Sequence, residues 1–151
     1  SIVNITLNCR KTKVLETLFF YAMLWESIQG ERSMSSVEKK TFATEAAEVM
    51  EPNNAKVEVV NVGGNRVMKI AAQPGWVWSK DIKPLVGTES CQAKHLGVIV
   101  EGTITCRHDD GSEITYTAGD AYSIEPGHDA WVVGDTKAIA YEFHGIWGDA
   151  G

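Results

Sequence analysis

Two histidines stand where β-strands are set to begin: His95, ahead of Leu96-Gly97-Val98-Ile99-Val100, and His128, directly after Glu125-Pro126-Gly127. Imidazole, thiolate and carboxylate groups all bind divalent transition metals. A pocket holding two or three of them leaves a coordination position open for water or substrate. Chemistry at this pair requires that two separate β-segments bring their rings to one place. The other two histidines read differently. His108 lies beside Asp109-Asp110-Gly111, as a hairpin residue does, and His144 shares strand parity with Ala140 and Glu142, so it faces either the interior or the surface at a strand end.

The elements that must position these groups are short and β-rich. Val57–Val62 and Arg66–Ala72 flank Gly63-Gly64-Asn65, a hairpin pattern. Gln73-Pro74-Gly75 turns the chain, and Trp76-Val77-Trp78 reads as a strand with both indoles on one face. Lys80–Glu89, with Pro84 and Gly87, reads as a loop. Further strands are expected at Leu96–Val100, Thr103–Arg107, Glu113–Thr117, Ala121–Ile124, Ala130–Val133 and Ala138–Phe143. About eight to ten short strands joined by tight turns indicate a sandwich or barrel, which escapes the edge-pairing problem by closing.

The chain before Met34 has another character. Val14, Leu18, Tyr21, Trp25 and Ile28 recur at helical spacing, which predicts one amphipathic helix from about Lys13 to Gln29. Ser33-Met34-Ser35-Ser36 resembles the start of a gene product, so residues 1–33 read as a helical extension and 34–151 as the β domain. The apolar face of such a helix needs a cover, either its own domain or a second subunit in a homodimer.

With 151 residues and 44% hydrophobic content, the chain suits one domain with a real core. A formal charge of −6 without any Lys/Arg cluster argues against nucleic acid and leaves small molecules or protein partners. The run Leu18–Trp25 is too short for a bilayer, which takes roughly 20 residues. Glu16 interrupts the signal-like Arg10-Lys11-Thr12-Lys13, and Cys9, Cys91 and Cys106 make neither a disulfide framework nor a zinc ribbon. A cytoplasmic protein with no membrane segment is the expectation.

From Val57 to Gly145 the sequence resembles the cupins, small all-β barrels of the double-stranded β-helix or jelly-roll type. Their first motif runs His-x-His-x-x-x-Glu and closes on a glycine; here Glu89-x-Cys91-x-x-x-His95 occupies that layout, and Gly102 follows His95 after six intervening residues. Their second motif, a Gly, then Pro-x-Gly, then His, is approached by Gly119, Pro126 and Gly127. The expected His position is Ala130, and His128 comes two residues early, on the same strand face. The resemblance implies a divalent transition metal (zinc, iron, manganese or nickel) in the barrel mouth. His95 and His128 lead the ligand candidates, Cys91 and Glu89 follow, and Asp81 is a reserve. A Cys ligand favours zinc or copper over manganese, whereas two His and a carboxylate resemble the facial triad of non-haem iron.

Trp76, Trp78, Tyr122 and Trp131, with Tyr141, offer aromatic walls for a small organic ligand, with Trp131 beside the second-motif position; ordinary core packing is the alternative. Three functions fit: a metal-dependent enzyme on a small metabolite, with Glu89 or Glu142 as acid or base; a ligand-sensing module; and a dimerisation domain with an empty barrel.

Overall fold

A computed structural model of the protein describes residues 36–144. The helix expected at Lys13–Gln29, the start at Met34 and the division after residue 33 lie outside the described residues.

Alternation of buried and exposed side chains, and turns that demand positive φ, set the strands. Nine are present among the described residues: β1 (Glu48–Met50), β2 (Ala55–Val62), β3 (Asn65–Ala72), β4 (His95–Glu101), β5 (Thr103–His108), β6 (Glu113–Thr117), β7 (Ala121–Ile124), β8 (His128–Val132) and β9 (Ala138–His144). All pair antiparallel, in a six-stranded sheet of order β1-β2-β3-β9-β4-β7 and a three-stranded sheet of order β6-β5-β8. Neighbours far apart in sequence, such as β3 with β9 and β4 with β9, wind the chain as a double-stranded β-helix does. The hairpin between β2 and β3 has Gly63 and Gly64 at φ 57° and 75°, the pair of left-handed residues that a two-residue primed turn needs. No helix among the described residues is long and apolar enough to cross a membrane.

The core lies between the sheets. Ile99 from β4, Ile104 from β5, Ala140 from β9 and the two indoles Trp76 and Trp78 are buried in one cluster. A second cluster, Val57 and Val59 of β2 with Met68 and Ile70 of β3, occupies the end of the large sheet.

Two expectations are corrected between β3 and β4. Trp76–Trp78 is not a strand: Trp76 closes a turn onto the Gln73 carbonyl, Val77 makes a single bridge to Trp131, and Trp78 opens a helical turn, the second of three in chain order, α1 (Phe42–Glu45), α2 (Trp78–Asp81) and α3 (Lys83–Val86). The cause is Asp81. Its carboxylate accepts the Val77 N–H at 3.0 Å and the Asn53 amide at 2.5 Å, bending the chain before a strand can extend. Lys80–Glu89 is correspondingly not a plain loop but holds the end of α2 and all of α3, which Gly87 terminates in the left-handed region at φ 76°. β1 and α1 had no signal strong enough to be expected from the sequence.

Gly102, the closing glycine of the first motif, has a physical reason to be one. It sits at φ 74° between β4 and β5, and a Cβ there would overlap the Lys137 carbonyl. Gly111 has φ 90° but open space around it. Gly111→Ala is therefore expected to cost only the left-handed penalty, about 1–2 kcal/mol. Gly102→Ala adds overpacking of about 1–3 kcal/mol, and urea unfolding of the two variants side by side measures the difference.

Candidate metal centre

Strand parity points the site residues inward. His95 opens β4 and shares its buried face with Gly97 and Ile99; His128 opens β8 and shares its face with Ala130 and Val132; Glu142 follows Ala138 and Ala140 on β9. Cys91 belongs to no strand. It is held by the start of β8, its N–H donating to the His128 carbonyl at 2.8 Å while its own carbonyl accepts the Gly127 N–H at 2.7 Å.

These elements bring three potential ligands together. One ligand atom each from Cys91, His95 and His128 lies within 4.8 Å of the others, and all three residues are buried. Cys91 Sγ is 3.5 Å from His95 Nε2. The two imidazoles meet edge to face, with ring centroids 5.1 Å apart.

The second nitrogen of each ring is already committed. His128 Nδ1 lies 2.8 Å from the Glu125 carbonyl oxygen, which can only accept, so Nδ1 carries the proton. His95 Nδ1 lies 2.7 Å from Glu142 Oε2. The other oxygen of Glu142 accepts the Tyr122 hydroxyl at 2.6 Å. With each Nδ1–H donating outward, each Nε2 is the nitrogen left for a metal, and carboxylate or carbonyl support of this kind fixes tautomer and ring orientation in metal sites.

Gly97 makes the carboxylate–phenol contact possible. It pairs with Glu142 on one side and Tyr122 on the other, and a Cβ would lie 2.6 Å from the Tyr141 carbonyl, 2.8 Å from the Tyr122 oxygen and 2.9 Å from Glu142 Cγ. The two side chains meet across the space a larger residue would fill.

The electrostatics follow from this packing. Burial alone would push the Cys91 thiol up, but hydrogen bonds from His128 and His95 outweigh it and hold the thiol at about 6. Burial likewise opposes a charge on His95, and its bonds to Cys91 and Glu142 outweigh that, raising it to about 10. His95 lies between two acceptors, with Nε2 toward the Cys91 sulfur and Nδ1 toward the Glu142 carboxylate. A metal would take the place of the Nε2 proton. Burial, then the nearby Glu142, push the Tyr122 phenol up, which keeps it a neutral donor. Cys106, by contrast, is pushed by burial up to about 12 and is an inert thiol.

The remaining sequence candidates fall elsewhere. Glu89 does not join the group: its side chain is 96% exposed and pairs with Lys83 at 2.6 Å, because the chain bends at Glu89 and Ser90 and the parity expected of residues two apart is lost. Asp81 is consumed by Asn53 and the Val77 N–H. Trp131 lies on the opposite face of β8 from His128, with the Arg107 guanidinium 5.3 Å above its ring, so it is no wall of the site. Tyr141 also faces away, toward Phe42. His108 donates its Nε2–H to the Pro126 carbonyl ahead of β8 and accepts the Asp110 N–H at Nδ1, and His144 is exposed. Glu142 as the partner of His95, and the Glu125 carbonyl as the partner of His128, were not read as supports from sequence; only the inward parity of Glu142 with Ala140 could have signalled the first.

Trp76, Trp78 and Tyr122 do line a cavity with His95, His128 and Glu142. Its volume is about 40 Å³ and its walls are mainly apolar. A water needs about 10–15 Å³ by the same measure, so an ion with a few water-sized neighbours fits, whereas pockets for drug-sized ligands run to roughly 300–1,000 Å³.

No family model and no curated protein matches the sequence. Solved structures do. A protein of unknown function from Rhizobium leguminosarum bv. viciae 3841 superposes with a TM-score of 0.50 at 17% identity, over 72% of this chain and 96% of that one. An RmlC-like cupin from Shewanella frigidimarina NCIMB 400 gives 0.44 at 18% identity over 71% and 92%. The oxalate decarboxylase of Lactobacillus farciminis, in a formate complex, gives 0.47 at 17% identity over 66% of this chain but only 32% of the enzyme. At these identities the likeness is one of fold. Two antiparallel sheets in double-stranded β-helix order, with glycines at the motif turns, give this chain the cupin fold.

Proposed function

We propose that the barrel holds one divalent metal ion on Cys91 Sγ, His95 Nε2 and His128 Nε2, with an open coordination position facing the small cavity. The observation that carries this reading is the pair of committed Nδ1 atoms. Both rings are turned by outer partners so that their free nitrogens face one thiol in a buried pocket. Ligand atoms around a tetrahedral zinc stand about 3.5 Å apart. The Cys91–His95 pair is already at that spacing, and the widest pair, at no more than 4.8 Å, closes with side-chain adjustment.

The donor set selects among metals. A thiolate with two imidazoles suits zinc, a borderline-soft ion, better than manganese, which prefers oxygen. With Glu89 outside the site and Glu142 bonded to His95 and Tyr122, a facial triad of two His and a carboxylate is not what these residues form. Bound there, zinc supplies Lewis-acid polarisation of an oxygen and a lowered pKa for bound water. The protein contributes the rest: Glu142 holds His95 in register, Tyr122 holds Glu142, and mainly apolar side chains wall the cavity. The occupant of the cavity is a small molecule of a few heavy atoms.

Metal analysis and calorimetric titration test this directly. Wild-type protein is expected to bind one equivalent of zinc, and His95→Ala, His128→Ala and Cys91→Ser each to lose stoichiometric binding while keeping the β-rich circular dichroism of the fold. Retention of one tight equivalent by folded Cys91→Ser and His95→Ala would overturn the assignment.

Glu142→Gln replaces an acceptor that takes two hydrogen bonds by an amide that can accept from only one side. Zinc affinity is expected to fall about 10–100-fold, the usual cost of losing an outer partner of a metal-bound His. Glu89→Gln, on the exposed neighbour, is expected to leave it unchanged.

A further inference from the structure

Every residue that lines the small cavity is buried. An ion or ligand bound for the two imidazoles therefore has to pass a wall residue. One wall residue borders a second space. Ile124 lines the cavity and also a groove of about 320 Å³, whose other walls include Cys106 and His108 of β5, Glu113 and Ile114 of β6 and Ser123 of β7.

Sheet topology creates this groove. β6 ends the small sheet and β7 ends the large one, so the barrel has a seam between two edge strands. Ile114 shows that the seam is open. It lies opposite Cys106 and so shares the inner face of the small sheet, where Cys106 is buried, yet Ile114 is 47% exposed. An inward apolar side chain left in solvent has no cover from the facing sheet. Ile124, 7% exposed, is the last residue of β7 and lies opposite His95, which sets the two side chains next to each other on the inner face of the large sheet. The residue after it, Glu125, takes the Nδ1–H of His128 on its carbonyl. One aliphatic side chain is thus shared by an open groove and the chamber of both imidazoles. Its strand is paired with β4 on one side alone, so moving Ile124 breaks no ladder along the seam.

We propose that this groove is the route into the metal centre and that Ile124 is the barrier on it, the residue whose displacement admits or releases the ion and its small ligand. The cargo rests on the metal-centre reading above; the route rests on two spaces and the wall they share. Ile70 supplies the comparison, because the same side chain there borders the cavity and not the groove.

Zinc release to an excess of chromogenic chelator at fixed pH measures the barrier. Ile124→Ala is expected to speed release about tenfold or more. Ile70→Ala opens the same kind of hole in another wall and is expected to stay within about threefold of wild type, as a general loosening of the core would not allow. Ile114→Trp fills the groove from outside and is expected to slow release about threefold or more. Where Ile124→Ala does not fold, Ile124→Val and Ile70→Val make the same comparison with a smaller hole. Equal acceleration by the Ile124 and Ile70 truncations, or a Trp at position 114 that changes nothing, would overturn the inference. A second rate needs no ion: alkylation of Cys91 by iodoacetamide in zinc-free protein, located by peptide mass spectrometry. Cys91 Sγ lies 3.5 Å from Nε2 of the wall residue His95, and its alkylation rates are expected to rank the variants in the same order. If zinc does not bind, the metal-centre reading fails, and that order alone decides whether the groove leads to the cavity.

Discussion

The candidate centre depends on a short stretch of backbone pairing outside the named strands. Between Ile82 and Lys94 the chain is mostly irregular, and a thiol carried there would sample many positions. The bridge between Cys91 and His128 removes that freedom. It joins the loop to the first residue of β8 through the Cys91 N–H, the Gly127 N–H and the His128 N–H, the last to the Cys91 carbonyl at 3.3 Å. Each such bond contributes about 0.5–1.5 kcal/mol net. That is small beside the whole fold, yet it sets a sulfur beside two imidazoles before any ion arrives. Pre-organisation of this kind spares binding the cost of ordering the ligands.

The second constraint is that buried polar groups must be paired. Glu142 is 5% exposed in a sheet of mostly apolar neighbours, and a carboxylate there is tolerable only because two donors meet it. One donor, His95, comes from β4 and the other, Tyr122, from β7, the two strands that follow β9 in the sheet. They can both reach because Gly97 lies between them with no side chain. A glycine in mid-strand ordinarily weakens a sheet. Here it opens the space in which a three-residue network forms, and that network in turn settles which nitrogen of His95 faces the cavity.

Much of this architecture was legible in residue order. Strand parity allowed His128 to face inward, the turn glycines marked the hairpins, and motif spacing drew attention to His95 and Cys91. What failed did so for identifiable reasons. Glu89 is two residues from Cys91, and same-face spacing holds only while the chain is extended; the bend at Glu89 and Ser90 turns its carboxylate to solvent. Trp131 stands three residues from His128, an odd separation that β8 converts into opposite faces. Trp76 to Trp78 carries strand-forming residues, but a carboxylate four residues on from Val77 captures its N–H and starts a helical turn. The partners of the imidazoles were hidden for another reason. Glu142 is 47 residues from His95, and the Glu125 carbonyl is a backbone atom that no residue type announces.

All of these groups gather at one end of the barrel, and register shows why. His95 lies opposite Ile124, the last residue of β7; Leu96 lies opposite His144, the last of β9; and His108, the last of β5, lies opposite His128, the first of β8. Antiparallel strands bring starts and ends to the same level, so residues scattered over the sequence converge there without disturbing the middle of the sheets. Away from that end, Ile99 is packed in the apolar cluster, and Ile104 and Ala140 join it while also lining the cavity. Of the three candidate ligands, Cys91 and His95 stand on the layout that the first motif fills with two His and a Glu, and His128 comes from the second.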